Sequence, residues 1–245
     1  IAYLAMAGCM VVGIITTLLV SSPKAVEKIS THRVGQGFFS GAIIAPFKDF
    51  VSRFDGWFWL LAFILFYRLS DGFIGFMTTP FFLQIGFDKT TIAGIAKLFG
   101  FGATLAGMFI GGAMIAKCGL YTSLWSFALF QLLANLAYLA LSIIGQDTGA
   151  LTFAITMDNL SGGMVTAAAI AFMMRLCQSA DYTATQYALL ASLASLGSIT
   201  LAGSAGWIAE TYGWTAMFGL SALLGIPCLA IFWCKSKMFR ELAES

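Results

Sequence analysis

The sequence predicts an all-α protein that crosses a lipid bilayer several times. Three observations carry this. Of 245 residues, 60% are hydrophobic and 10% charged, whereas soluble domains carry about 25% charged residues. The apolar residues form runs of about 20 or more, not the short alternating segments of a membrane barrel. The remaining charges gather mainly between the runs, and the basic ones favour one side. A net charge of +2 offers no footing for nucleic acid.

The chain opens on an apolar span, about 1–20, that carries no charge. It begins at Ile1 without a basic leader, so it is not read as a signal peptide. It is expected to continue a longer protein. A polar connection follows, about 21–56, with Pro23, Lys24, Lys28, His32, Arg33, Lys48 and Arg53. From Gln36 to Phe54 this connection holds five phenylalanines among small and polar residues. Two readings stand: an amphipathic helix on the membrane surface, or a linker between two halves.

Six further spans are expected at about 57–82, 91–116, 120–144, 150–176, 184–208 and 214–234. The turns between them alternate. Lys117, Arg175 and the tail's Lys235, Lys237 and Arg240 fall on the side of the long connection. Lys89 alone falls on the other. The positive-inside rule then puts the long connection and the C-terminus in the cytoplasm. Pro80, after Thr78 and Thr79, is a candidate kink in the 57–82 span. Gly107 and Gly111 form a GxxxG spacing, and the 184–208 span is rich in Gly, Ala and Ser. Both read as close helix packing. The five cysteines lack metal-ligand spacing and read as packing residues.

Four charges interrupt the spans: Arg68 and Asp71 in the first of these six, Lys97 in the next, and Asp158 in the fourth. Arg68 and Asp71 are three apart, one turn on a shared helix face. A charge in hydrocarbon costs a few kcal/mol on insertion scales, so each must face a partner, a cavity or a pathway. Counted along the helices, all four lie between the midplane and the outer third, as a polar central cavity would require. Blander alternatives stand beside this. Arg68 and Asp71 could form a structural ion pair, Lys97 could snorkel outward, and Asp158 with Asn159 could bond neighbouring backbones. The 1–20, 120–144 and 214–234 spans, poor in polar groups apart from Gln131 and Asn135, read as lipid-facing or peripheral.

Several chemistries are absent. There is no Walker motif, so ATP does not drive the chain directly. The single histidine, His32, lies in the connection and supports no metal site or relay across the membrane. No nucleophile elbow, HExxH motif or repeated-arginine voltage sensor is present. Nothing calls for a cofactor or an enzyme.

A resemblance extends this reading. Tyr67-Arg68-Leu69-Ser70-Asp71, Thr78-Thr79, Gly86-Phe87-Asp88, Lys97-Leu98-Phe99-Gly100, Asp158-Asn159-Leu160-Ser161-Gly162-Gly163-Met164, Ala184-Thr185-Gln186-Tyr187-Ala188-Leu189-Leu190 and Ala205-Gly206-Trp207 together resemble the AmpG-type muropeptide permeases of the major facilitator superfamily. The likeness runs from about Trp57 to Trp233. It departs at Asp158, where glutamate is usual, and at Arg68, where lysine is often found. Those proteins have two six-helix halves around a cavity. The resemblance therefore implies that 1–20 is the last helix of an N-terminal half, 21–56 the cytoplasmic central loop, and 57–245 the C-terminal six-helix bundle. It implies a multi-pass protein of the bacterial inner membrane. It also implies proton-coupled import of anhydro-muropeptides (GlcNAc-1,6-anhydroMurNAc with or without peptide) for peptidoglycan recycling, with the missing N-terminal half as a further partner. On that reading Asp71 and Asp158 couple protons, and Arg68, Lys97, Asn159 and Gln186 contact substrate. The alternatives are a major facilitator transporter of another solute (sugar, peptide or acyl-CoA-like) or an inactive or split half-transporter.

Overall fold

The computed structural model describes residues 2–19, 43–177 and 182–244. The chain forms two compact units, Ile1–Gly41 and Ala42–Ser245. In the first, α1 spans Ala2–Leu19. Its 18 residues rise about 27 Å, close to the ~30 Å of a hydrocarbon core. His32 and most of the expected connection, including Gln36 to Gly41, lie outside the described residues.

The second unit is a helical bundle. It comprises α2 (Ala45–Arg53), α3 (Trp57–Gly75), α4 (Thr78–Gln84), α5 (Lys89–Ile95), α6 (Phe101–Ile144), α7 (Thr148–Leu176), α8 (Thr183–Tyr212), α9 (Trp214–Cys234) and α10 (Ser236–Glu244). A π-turn over Ala96–Gly100 joins α5 to α6. Among the described residues, five helical stretches are long and apolar enough to cross a bilayer. One of them, Lys89–Ile144, has 56 residues. That is about 84 Å of helix, far more than one crossing needs. It breaks at Gly119, whose φ of +80° only glycine adopts without strain. The two limbs of α6 are the expected spans 91–116 and 120–144. With α6 broken there, the long apolar helical stretches coincide with the six spans expected between 57 and 234.

The break in the first of these crossings lies before Pro80, not at it. α3 ends at Gly75 and α4 begins at Thr78, with Phe76 and Met77 between. Pro80 sits in the first turn of α4, where its missing N–H leaves no helical bond unmade. Asp88 caps α5, accepting from the backbone N–H of Thr90 and Thr91 at 3.0 Å each. Bonds from the Thr90 and Thr91 side chains and backbone hold its carboxyl well below the usual carboxylate range.

Packing divides the bundle into two apolar cores. One gathers Phe63, Ile64 and Tyr67 of α3, Leu124 and Phe127 of α6, Phe172 of α7, and Phe232 and Phe239 of α9 and α10. The other gathers Phe73, Phe81, Tyr138, Leu141, Leu151, Ile155 and Phe218. Each of α3, α6, α7 and α9 passes from one core to the other, so one stretch of each lies between the two.

Direct backbone contact draws α6 and α7 together. A β-carbon on Gly107 would collide with the Leu160 carbonyl oxygen, and one on Gly163 would lie 2.5 Å from the Thr104 carbonyl oxygen. A β-carbon on Gly111 would lie 3.1 Å from the Met164 α-carbon. The GxxxG spacing is therefore a packing seam. Gly197 of α8 likewise receives the Leu65 and Leu69 side chains of α3. Cys177 and Cys228 are buried as expected, but Cys118 and Cys234 are exposed. Those two are therefore not core residues.

Candidate functional site

Between the two cores the helices carry polar groups at one level. α3 brings Arg68, Ser70 and Asp71, α6 brings Gln131 and Asn135, α7 brings Asp158, and α9 brings Ser221. On α7, Asp158, Gly162 and Thr166 follow one another at four-residue steps and so share a face. Arg68 donates from Nη1 to Thr166 Oγ1 at 3.1 Å. Its Nη2 lies 4.0 Å from Asp71 Oδ2. Asp71 Oδ1 faces Gly162, where a β-carbon would sit 3.8 Å away.

Asp158 is held from α6. Tyr138 donates its hydroxyl to Oδ2 at 3.1 Å, and Gln131 Nε2 donates to Oδ1 at 3.4 Å. Gln131 Nε2 also donates to Asn135 Oδ1 at 3.2 Å. Asn135 Nδ2 donates to Ser70 Oγ, and Ser70 in turn donates to the Ser221 carbonyl at 2.8 Å. One chain of hydrogen bonds therefore runs from α7 through α6 and α3 to α9. Asn135 and Ser221 are 0% exposed and Gln131 4%, so each of these bonds replaces water that is absent.

The structure brings together Arg68, Asp71 and Asp158, and adds Thr166, Gln131, Asn135, Tyr138, Ser70 and Ser221 to them. It places the other three expected site residues elsewhere. Lys97 lies exposed on the π-turn and makes no hydrogen bond or ion pair among the described residues. Asn159 turns into the α6–α7 seam. Its Oδ1 accepts from Thr104 at 3.0 Å, and its Nδ2 donates to the Ile155 carbonyl at 2.8 Å. One residue along a helix is about 100° of rotation, which separates Asn159 from the face of Asp158.

Gln186 lies at a different level and is 2% exposed. Its Nε2 donates to the Pro46 carbonyl at 3.0 Å and to Asp49 Oδ2 at 2.8 Å, and its Oε1 accepts from Arg53 Nη2 at 2.8 Å. All three partners belong to α2. Pro46 and Phe50 of α2 are buried as well. The described part of this segment is thus a helix docked on the bundle. Replacing Gln186 by leucine should free α2, because buried amides lose bonds worth on the order of 1 kcal/mol each. Amide hydrogen exchange over Ala45–Arg53 should rise while that of α7 stays unchanged. Unaltered exchange in α2 would mean that Phe50 alone holds it.

Two of the spans read as peripheral carry an inward polar face. Gln131, Asn135 and Tyr138 of the second α6 limb, and Ser221 of α9, all point inward. Gln131, Asn135 and Tyr138 are four and three residues apart, a helical-face spacing that could have found them in the sequence.

No family model matches the chain. Curated relatives do. The chain is 33% identical over 230 residues to the anhydromuropeptide permease of Escherichia coli strain K12, which covers 94% of this chain and 45% of that protein. It is 37% identical over 196 residues to the putative transporter AmpG 4 of Rickettsia felis, covering 80% of this chain and 47% of that one. It is 31% identical over 172 residues to the putative transporter AmpG 1 of Rickettsia bellii, covering 70% and 42%. The chain thus spans about half the length of the curated relatives it matches. Among solved structures, a peptide transporter POT in complex with alafosfalin aligns with a TM-score of 0.57 at 18% identity, over 85% of this chain and 41% of that one. At that identity the likeness concerns the fold alone, which is the major facilitator fold.

Proposed function

This chain belongs to the AmpG family of transporters, and from that premise we propose that it is the C-terminal part of a proton-coupled permease. Its cargo is an anhydro-muropeptide entering across the bacterial inner membrane, with the C-terminus in the cytoplasm. On this reading 1–20 is the last helix of the N-terminal half, 21–56 the central loop, and 57–245 the C-terminal bundle. The observation that carries it is the level of charge between the two cores, with Arg68 and Asp71 on α3 facing Thr166 and Asp158 on α7.

The chemistry follows from the strengths of these contacts. Arg68 and Asp71 are 4.0 Å apart and about a third exposed, at 35% and 30%. Pairs exposed to that degree contribute no more than about 1 kcal/mol, so a ligand can displace one member. A lactyl or peptide carboxylate competes with Asp71 for the guanidinium, which presents a planar fork to carboxylates. Protonating Asp71 removes the competing charge and releases Arg68 to the ligand. Asp158, fixed by Tyr138 and Gln131, is the second proton acceptor. Lys97, on its exposed turn, meets substrate only where a second half closes over it. Asn159 and Gln186, bonded within the fold, act by support and not by contact.

The test is uptake of labelled anhydro-muropeptide by cells lacking their own permease. The chain is expressed alone and with the N-terminal half of a relative, with and without a protonophore. Uptake that needs both halves and collapses with the protonophore is the expected result. Asp71→Asn should abolish accumulation against a gradient while permitting equilibration. Accumulation retained in that variant removes Asp71 from the coupling role. No uptake from correctly inserted protein removes this substrate.

A further inference from the structure

The Gln131 amide occupies an unusual position. Its Nε2 donates to both Asp158 and Asn135, while its Oε1 is buried without a partner. An amide has two donors and one acceptor oxygen on opposite sides of one plane, and a half-turn exchanges them. That half-turn would set an acceptor against Asp158 and Asn135. The unpartnered atom would then be the nitrogen instead of the oxygen. Each arrangement leaves one buried atom unmatched, so neither is favoured by the bonding of Gln131 itself. What stands opposite decides between them.

We propose that Gln131, Asn135 and Ser70 form a reversible hydrogen-bond relay through which the proton on Asp158 controls the contact between α3 and α9. With Asp158 ionised, the observed polarity holds. Gln131 donates to Asp158 and to Asn135, Asn135 donates to Ser70, and Ser70 donates to the Ser221 carbonyl. A proton arriving from water bonds to a carboxylate oxygen of Asp158 and makes it a donor toward Gln131. The Gln131 amide turns so that Oε1 accepts from Asp158, and Asn135 turns so that its Nδ2 donates to the same oxygen. Asn135 Oδ1 now faces Ser70, whose hydroxyl proton swings to it and leaves the Ser221 carbonyl. No atom is gained or lost beyond the one proton on Asp158. The ionisable groups facing Asp158 are Tyr138 from α6 and Asp71 from α3, with Arg68 beside Asp71.

The device links two functions the fold keeps apart. The proton is taken up on α7, while α3 carries Arg68 and Asp71. Releasing Ser70 from Ser221 frees α3 from α9 at the level of those two charges. A bistable element of this kind needs only a small bias to switch. The proposal rests on the permease reading for its purpose, but the relay itself is measurable without transport.

The test is amide hydrogen exchange of the purified chain at one fixed pH. Asp158→Asn places a donor where a protonated carboxyl would be. It should raise exchange over Ser221–Gly225 roughly fivefold, the effect of losing one buried hydrogen bond. In a Gln131→Leu background the same replacement should change nothing, because the relay is cut. Ser70→Ala should raise exchange at α9 by itself, with no further rise from Asp158→Asn. It therefore decides the matter if Gln131→Leu does not fold. Exchange unmoved by Asp158→Asn, or a rise that persists in Ser70→Ala, overturns the relay. Uptake by the unsubstituted chain, paired with the N-terminal half of a relative, separates the two ideas. The exchange response without any uptake upholds the relay and removes the permease reading. Uptake without the response upholds the permease and removes the relay.

Discussion

Replacing Arg68 by glutamine should lower kcat/KM for uptake of an anionic muropeptide about 10- to 100-fold when the chain is paired with a complementary N-terminal half. Hydrogen bonds to charged groups contribute roughly 1.5–3 kcal/mol, and each 1.4 kcal/mol is tenfold. The loss should be smaller for a ligand lacking free carboxylates, since only the charge-assisted contact is removed. Arg68→Lys keeps the charge but gives up the planar fork that reaches Thr166 and Asp71 together. It should fall between the two. Equal uptake of charged and uncharged ligands by Arg68→Gln would show that the arginine serves the helix contact with Thr166 and not the ligand. Membrane insertion measured alongside keeps a folding failure from passing as a binding one.

Gly163→Val should be among the most damaging single changes at the seam between α7 and the first limb of α6. A β-carbon there lies 2.5 Å from the Thr104 carbonyl oxygen and 3.0 Å from the Met108 backbone nitrogen. Neither is the flexible end of a side chain, so α6 and α7 must separate. Overpacking of this kind costs about 1–3 kcal/mol where side chains can adjust, and here backbone must move. The detergent-solubilised protein should melt several degrees lower. Movement of α7 away from the first limb of α6 should also disturb the Tyr138 and Gln131 bonds that the second limb makes to Asp158. Gly102→Ala is the control: nothing lies within 4 Å of a β-carbon at Gly102. A melting temperature equal to wild type for Gly163→Val would mean that the seam is looser than its geometry.

Arg68, Asp71 and Asp158 were legible because charge inside an apolar span is costly enough to demand an explanation from the sequence alone. The bonds that join them to their partners were not. Gln131, Asn135, Ser70 and Ser221 are neutral, and a neutral group in a span is cheap once it finds a bond. Nothing in its own stretch of sequence says which helix will provide that bond. Tyr138 reads as one more aromatic among many. Gln186 is a different case. An amide near conspicuous motif residues reads as a ligand contact, and in the structure its bonds go to α2, a segment more than 130 positions away. Asn159 follows Asp158 in the motif but points elsewhere, since adjacent residues on a helix face different ways.

The class of the protein, its long apolar stretches between 57 and 234 and the three charges within them are set by local energetic rules: apolar length against bilayer thickness, and the cost of an isolated charge. Packing of the whole bundle sets the polar groups at a single level between two apolar cores. It also decides that Asp158 is tied to α9 through Gln131, Asn135 and Ser70, and that α2 docks on Gln186. The reason is physical. Hydrogen bonds between helices depend on rotation about each helix axis and on the height at which helices meet. Both are set by the glycine seam and by side-chain packing summed over the whole bundle, not by any one stretch of chain.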